Sequence, residues 1–101
     1  MADPVTVYGF EWDQDKAAAN RRKHGVAFEE AATVFLDARA SSLYDAKHSE
    51  TEDRWATLGL SSAGRLLVVW HTFEEEGESY ARVRIISSRK ATRKEEQQYG
   101  A

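Results

Sequence analysis

The hydrophobic and polar positions in the second half of the chain predict an antiparallel sheet. Segments 55–60, 66–73 and 80–88 are rich in β-branched and aromatic residues, a composition typical of strands. The polar stretches 61–64 and 74–78 between them have the length and composition of turns. The middle segment begins with five consecutive apolar residues, which favours a central strand covered on both faces.

The first half of the chain predicts one strand followed by two helices. Residues 5–10 contain the β-branched and aromatic positions of a short strand. Asp13 is a suitable N-cap for a helix over 14–24, and Gly25 follows the basic last turn as a stop signal. Four apolar residues then occupy the i, i+3, i+4 and i+7 positions of a second helix: Phe28, Ala31, Ala32 and Phe35.

Weaker signals complete the predicted architecture. A short strand is expected at 40–44, although the order of the other elements does not depend on it, and 45–53 is expected to be a polar loop. Thr92 and Glu95 form a capping box that opens a last helix. We therefore predict a single α+β domain over 1–101: an antiparallel sheet of about four strands, two N-terminal helices on one face, and a short C-terminal helix. Residues 1–4 are expected to be a flexible tail.

Composition limits the classes of function. The chain has 101 residues, of which 42% are hydrophobic and 31% are charged, enough for one core. It has no cysteine, which excludes disulfides, thiolate metal ligands and a cysteine nucleophile. Neither a signal-peptide pattern nor an apolar run long enough to span a bilayer is present. We therefore expect a cytoplasmic protein.

Positive charge is concentrated in one segment, 79–94, which contains no acidic residue. Its six basic residues are Arg82, Arg84, Arg89, Lys90, Arg93 and Lys94. Because the whole chain has a formal net charge of −3, the residues outside this segment sum to −9. Such contrast favours an anion-binding surface in spite of the acidic chain. The alternative is a solvated strand edge followed by a charged helix.

Alternation within this segment predicts which arginines share a face. Arg82 and Arg84 lie on one side of an extended chain, whereas Val83 and Ile85 lie on the other. Strict alternation would place Arg89 with the apolar residues, so Arg89 reaches the arginine face only if the strand ends or bulges near Ser87.

The three histidines differ in what their positions indicate. His71 follows Trp70 in the central strand and is a candidate acid or base, because imidazole titrates near neutral pH; the alternative is a partly buried histidine bonded to a backbone carbonyl. His24 at a helix end is expected to be structural. His48 and Glu50 lie in a polar loop and are too few to form a recognised metal site. We expect no metal site and no cofactor.

The chain resembles the BrnT family of toxins from type II toxin–antitoxin modules over nearly its full length. The resemblance rests on blocks that occur in one order: 10–13 with Lys16 and Asn20, 23–26 with 28–31, 48–50 with Arg54 and 58–59, 64–65 with 67–69 and 71–72, and 84–87 with 89–91, Glu95 and Tyr99. Where the family has a small hydroxyl residue as a helix cap, this chain has Ala27, at a cost of about 1 kcal/mol in helix stability.

The resemblance implies a fold like that of the RelE-type ribonucleases and a translation-inhibiting endoribonuclease activity. It also implies a partner, a ribbon-helix-helix antitoxin (BrnA-like) that binds operator DNA and joins the toxin in a hetero-oligomeric complex. We expect that antitoxin to cover part of the cationic strand. A non-catalytic module that binds an antitoxin or nucleic acid is the alternative function, and a metal-dependent hydrolase is disfavoured by the lack of clustered ligands.

Metal-independent RNA cleavage requires a base, an acid and positive charge near the phosphorus. We expect Arg84 and Arg89 to supply the charge, because the resemblance and the local charge agree on them, and His71 to supply proton transfer. Expected contacts to the RNA substrate are Arg65, Arg82, Lys90 and Tyr99. The alternatives are an ordinary surface charge for Arg65 and packing on the core for Tyr99.

Overall fold

The computed structural model describes residues 7–100; Val5 and the predicted tail 1–4 lie outside this range. The strands are β1 (Val7–Glu11), β2 (Ser41–Tyr44), β3 (Trp55–Leu60), β4 (Leu66–His71), β5 (Glu74–Glu75) and β6 (Tyr80–Lys90). The α-helices are α1 (Gln14–His24), α2 (Phe28–Ala32) and α3 (Arg93–Gly100), and short 3-10 turns cover Thr33–Leu36 and Ala46–His48. None of these helices is long and apolar enough to cross a membrane.

The strands form one mixed sheet in the order β1-β6-β4-β3-β2, and β5 also pairs with β6. The α+β class is confirmed, but the predicted antiparallel sheet of about four strands is wrong in two respects. β1 pairs with β6 in parallel, and the acidic stretch expected to be only a turn contributes the two-residue strand β5. A parallel neighbour requires a long crossover, and such a long-range pairing leaves no local pattern in the sequence.

Helix α1 has the predicted boundaries because both end signals operate. The Asp13 side chain accepts a hydrogen bond from the Lys16 amide (3.0 Å), and Gly25 has φ 69°, with its amide donating to the Arg21 carbonyl. A left-handed residue at this position is the usual glycine stop.

Helix α2 is shorter than predicted. Ala27 makes no side-chain cap hydrogen bond, as expected from the missing hydroxyl. After Ala32 the chain tightens into the 3-10 turn, where the Thr33 hydroxyl donates to the Glu30 carbonyl (2.7 Å). Such bonding back to the preceding turn bends helices. The predicted apolar stripe still packs inward, with Phe28 and Ala31 fully buried.

Helix α2 and the following 3-10 turn pack on one face of the sheet, whereas α1 buries Asn20 against the backbone of β6. The placement of the helices therefore differs from the predicted pair on one face. Fully buried side chains from the strands meet those of the helical layer on the covered face, and together they form the core: Val26, Phe28, Ala31, Val34, Leu67, Val69, Val83 and Ile85. Four aromatic residues pack against its margin: Tyr8, Phe10, Trp12 and Phe35. Because strand side chains alternate, the other face of β6 is left for polar residues.

A β-bulge in β6 moves Arg89 to that open face. The β4–β6 register shifts at Trp70/His71: Trp70 pairs with Ser87, but His71 pairs with Ile85, so Ile86 has no partner. An extra residue of this kind reverses the alternation that follows it. Arg82, Arg84 and Arg89 therefore lie on the same face, which satisfies the condition that the sequence set for Arg89.

The buried side chain of Asn20 holds the strand just beyond the bulge. Its amide nitrogen donates to the carbonyls of Ser88 (2.9 Å) and Val26 (3.0 Å), and its oxygen accepts from the Ser88 amide (3.0 Å). Ser88 is itself fully buried and donates its hydroxyl to the Val68 carbonyl (2.9 Å). These bonds connect α1 directly to β6.

The predicted capping box opens α3. The Thr92 amide donates to the Glu95 carboxylate (2.8 Å), and the Glu95 amide donates to the Thr92 hydroxyl (3.2 Å). The far end of α3 is held by Tyr99, whose hydroxyl donates to Asp37 (2.6 Å).

A substitution at Gly59 tests the packing of β3 under the 3-10 turn. A Cβ atom at Gly59 would lie 2.7 Å from the Val34 side chain and 2.9 Å from Ala40 Cβ. We expect Gly59→Ala to destabilise the protein by about 1–3 kcal/mol, the usual cost of overpacking, and to lower Tm in thermal melting. At Gly100 a Cβ meets nothing within 4 Å, so Gly100→Ala is the matched control. Equal melting of the two variants would contradict this packing.

Candidate active site

The open face contains a pocket of about 310 Å³ beside the bulge. Residues from four parts of the chain line it: His24 at the end of α1, Asp45, His48 and Arg54 from the loop between β2 and β3, Trp70 from β4, and Ile86, Ser87 and Arg89 from β6. We call it the arginine pocket. It combines two imidazoles, two guanidinium groups and an aromatic ring in one concave surface.

Arg89 is held rigidly at the edge of the arginine pocket. Its Nη1 and Nη2 atoms donate to the two carboxylate oxygens of Glu95 (2.8 and 3.1 Å), and its guanidinium carbon lies 5.1 Å from the centre of the Trp70 ring. The bonds from Arg89 lower the pKa of Glu95 to about 2. A bidentate pair fixes the plane of the guanidinium, which leaves Nε free to meet a ligand.

A shared carboxylate links Arg84 to the arginine pocket. Glu52 accepts from the Arg54 Nη2 atom (3.2 Å) and also from Arg84. Both arginines help to lower the pKa of Glu52, against a desolvation effect that raises it. The Nε atom of Arg54 is buried and makes no hydrogen bond within the described chain, although buried N–H groups normally have a partner.

The loop that carries His48 and Arg54 is closed by its own hydrogen bonds. The Asp45 amide donates to the Arg54 carbonyl (2.8 Å), and the Ser49 hydroxyl donates to the Asp45 carbonyl (2.5 Å) while accepting from the Arg54 amide (3.0 Å). These hydrogen bonds bring the side chains of His48 and Arg54 to the arginine pocket, although the two residues are six positions apart.

His48 and Asp45 form a hydrogen-bonded pair within this loop. The Nδ1 atom of His48 lies 2.8 Å from the Asp45 carboxylate, and the His48 side chain is 58% exposed, against 15% for Asp45. A carboxylate on one ring nitrogen orients an imidazole for proton transfer at the other. Sequence reasoning set aside His48 and His24. The three-residue spacing of Asp45 and His48 was the available signal for the pair, but nothing local placed His24 beside them.

His71 lies on the other side of the sheet from the arginine pocket. It is 2% exposed, its Nε2 atom is 2.6 Å from the Thr57 hydroxyl, and its Nδ1 atom is 2.9 Å from the Thr72 carbonyl. Burial lowers its pKa, and the bond to Thr72 opposes that shift. These contacts correspond to the structural alternative stated for His71, so we leave it out of the proposed site.

The other expected substrate contacts are dispersed. Arg65 donates from Nε to Glu30 (2.9 Å) and from Nη2 to the Gly25 carbonyl (3.1 Å), which connects the turn before β4 to the α1–α2 junction. Arg82 pairs with Glu76, and Lys90 is exposed at the end of β6. The Tyr99 hydroxyl is bonded to Asp37, as noted above. None of the four lines the arginine pocket.

The described residues 7–100 contain no group of three or more His, Cys, Asp or Glu side chains placed to hold a metal ion. The arginine pocket offers two imidazoles for proton transfer and the positive charge of two guanidinium groups. That combination is suited to stabilising an anionic phosphate transition state.

The buried environment of His71 predicts how stability depends on pH. Because its folded pKa is below the ordinary value of 6.5, the unfolded chain binds a proton first, and the contribution of His71 to stability is lost as pH falls through 6.5. We expect the parent protein to exceed His71→Gln in unfolding free energy at pH 7.5 and the gap to narrow at pH 5.5. Urea unfolding at both pH values measures this difference in unfolding free energy. A difference that widens at pH 5.5 would contradict a lowered pKa of His71 in the folded protein.

Comparisons with known proteins agree on one family. The family model described as the ribonuclease toxin BrnT of type II toxin–antitoxin systems matches residues 12–95. The crystal structure of the Brucella abortus ribonuclease toxin BrnT is similar in fold, with a TM-score of 0.54 and 20% identity over 91% of this chain and 100% of that one. No curated protein sequence matches. Since the family model covers most of the sequence, this chain belongs to the BrnT family of ribonuclease toxins of type II toxin–antitoxin systems.

Proposed function

We propose that this protein is a metal-independent endoribonuclease whose active site is the arginine pocket. The observation that carries the proposal is the meeting of His24, His48 and Arg89 around one concave surface. Family membership supports ribonuclease activity, and the residues of this chain supply the acid, the base and the charge that cleavage without a metal requires.

The proposed reaction is an attack by the ribose 2′-oxygen on the adjacent phosphorus. A base removes the 2′-hydroxyl proton, the new O2′–P bond forms, the P–O5′ bond breaks, and an acid donates a proton to the leaving O5′ atom. The products are a 2′,3′-cyclic phosphate and a 5′-hydroxyl end. No oxidant, reductant or cofactor is needed.

We assign the base role to His48 and the acid role to His24. The Asp45 carboxylate accepts from Nδ1 of His48, so Nε2 is the atom left to take the proton. Asp45 also holds the imidazole ring in its orientation, as a carboxylate does beside a catalytic histidine. His24 lies at the C-terminus of α1 and lines the same pocket as His48 and Arg89, which leaves it as the second imidazole for the acid role.

Positive charge in the proposed site comes from Arg89, Arg54 and Arg84. Arg89 is oriented by Glu95, and Arg54 adds a second guanidinium to the pocket lining, with a buried Nε atom that has no hydrogen-bond partner within residues 7–100. Arg84 is engaged with Glu52 in the free protein, so we expect substrate phosphate to compete with Glu52 for it.

A second candidate function is a non-catalytic binding module. It is favoured by the fact that Arg82, Arg84 and Arg89 each pair with a glutamate of the same chain, an arrangement that also suits a purely structural strand. Cleavage by the purified protein distinguishes the two candidates, since a binding module retains RNA without cutting it.

The cellular consequences follow the family resemblance and are part of the proposal. Cleavage of cellular RNA would act in the cytoplasm and inhibit translation. The RelE-type fold, and the ribbon-helix-helix antitoxin that binds operator DNA, stay predictions from the same resemblance.

Substitution of the two pocket histidines tests the mechanism. We expect His48→Gln and His24→Gln each to slow RNA cleavage by about 10²- to 10⁴-fold, the usual contribution of a general acid or base, while Tm changes little. The assay uses purified protein, with and without EDTA, and product analysis for 2′,3′-cyclic phosphate ends. His71→Gln is the matched control, because it alters an imidazole outside the pocket. Loss of cleavage in EDTA that a divalent ion restores would refute the metal-independent mechanism.

Substitution of the arginines tests the charge of the site. We expect Arg89→Ala and Arg84→Ala each to slow cleavage by about 10²- to 10³-fold, the range for loss of one preorganised donor, and to relieve growth arrest on expression. Arg82→Ala is the control on the same strand face, since Arg82 pairs with Glu76 and shares no carboxylate with a pocket residue. Glu95→Gln removes the carboxylate that orients Arg89 and leaves the positive charge of Arg89 in place. Thermal melting of all variants separates effects on folding from effects on activity. If Arg84→Ala and Arg89→Ala remain as toxic as the parent, the arginine pocket is not the active site.

A further inference from the structure

A second concave region lies apart from the arginine pocket, on the helix-covered side of the sheet. One part has a volume of about 280 Å³ and is lined by Tyr8, Phe35, Ser42, Trp55, His71 and Phe73. The neighbouring part, of about 400 Å³, shares Tyr8 and Phe73 and continues past Glu75 and Glu78 to Tyr80. We call the two parts the aromatic–acidic groove.

The walls of the aromatic part of the groove are rings packed against one another. The Tyr8 and Phe35 ring centres are 5.7 Å apart, and Phe35 meets the buried His71 ring edge-on at 4.8 Å. Phe73 is 39% exposed at the junction of the two parts. A cavity of about 150 Å³ holds one benzene-sized ring, so this part can accept one large apolar side chain. Aromatic pockets of this kind are where binding energy concentrates in protein interfaces.

The other part of the groove is strongly acidic. Four glutamates fall within five positions: Glu74, Glu75, Glu76 and Glu78. Among the ion pairs of residues 7–100, this stretch contributes only Glu76, which pairs with Arg82. The carboxylates of Glu75 and Glu78 therefore line the groove without a cation from the described chain to neutralise them.

This charge selects among possible occupants. RNA is disfavoured, because its phosphates would be repelled by the glutamates. A second copy of the chain is disfavoured, because a two-fold contact places the same patch on both sides and would bring the acidic stretches together. A protein segment with an apolar anchor and basic neighbours matches both parts, since opposite charges at an interface rim speed association and select partners.

We propose that the aromatic–acidic groove anchors the antitoxin, through a segment in which an aromatic or long aliphatic side chain is followed by lysine or arginine. The proposal uses the partner that membership of the type II toxin family implies, and it does not depend on the cleavage mechanism proposed above. The groove and the arginine pocket have no lining residue in common, so anchoring and catalysis are separable by mutation.

Calorimetric titration with the purified antitoxin encoded beside this toxin tests the proposal. Phe73→Ala removes an exposed wall of the aromatic part, and the double variant Glu75→Lys/Glu78→Lys reverses the charge of the acidic part. The control, Asp15→Lys/Glu29→Lys, makes the same change of net charge at exposed positions on α1 and α2. Thermal melting shows whether each variant is folded.

We expect Phe73→Ala and the double variant each to weaken antitoxin binding at least about tenfold, with the loss in the double variant shrinking at high salt. The control binds as the parent does, and all variants retain RNA cleavage. Unchanged binding in both groove variants overturns the proposal. If only Phe73→Ala loses antitoxin binding, the occupant is not basic. If sedimentation shows that the parent toxin is a dimer and that the groove variants are monomers, the occupant is a second copy of the toxin. If neither the parent protein nor any variant cleaves RNA, the ribonuclease mechanism is refuted. The antitoxin-binding result then still decides the groove proposal, because it does not depend on cleavage.

Discussion

The hydrogen bonds between Asn20 and Ser88 hold together the two layers of the molecule at the position that matters for the proposed chemistry. Asn20 is buried in α1 and bonds both the amide and the carbonyl of Ser88, just after the register shift that leaves Ile86 unpaired. A bulge costs ladder hydrogen bonds, so a strand keeps one only where other contacts hold it. Without that extra residue Arg89 would point into the core, where an unpaired guanidinium is too costly to bury.

Ion pairing within the chain explains how a cationic strand can exist in an acidic protein. Arg84 shares Glu52 with Arg54, and Arg89 is fixed by Glu95. Exposed pairs of this kind contribute little to stability, but they keep like charges from repelling one another in the free protein. The Arg89–Glu95 pair also fixes the guanidinium plane of Arg89, which in the proposed mechanism favours catalysis because this group needs no reorganisation during the reaction.

The two faces of the sheet have different chemistry because alternation sends neighbouring residues to opposite sides. The open face carries the arginine pocket, whereas the covered side carries the core and, past its margin, the aromatic–acidic groove. His71 belongs to the covered side, where its hydrogen bond to Thr57 satisfies a buried polar group. A histidine in a central strand is thus a poor guide to catalysis unless its face is known.

The sequence by itself determined the features that local chemistry controls: the two ends of α1, the capping box at Thr92, the antiparallel strands β3, β4 and β6, and the arginine face up to Arg84. It also carried enough of the family pattern for the chain to be assigned. Only the tertiary structure decided that β1 pairs in parallel with β6, that the bulge turns Arg89 outward, and that His24 and His48 meet at one pocket. The physical reason is distance along the chain. Caps and alternation act within a few residues, whereas a pocket is assembled from segments that meet only when the core has packed.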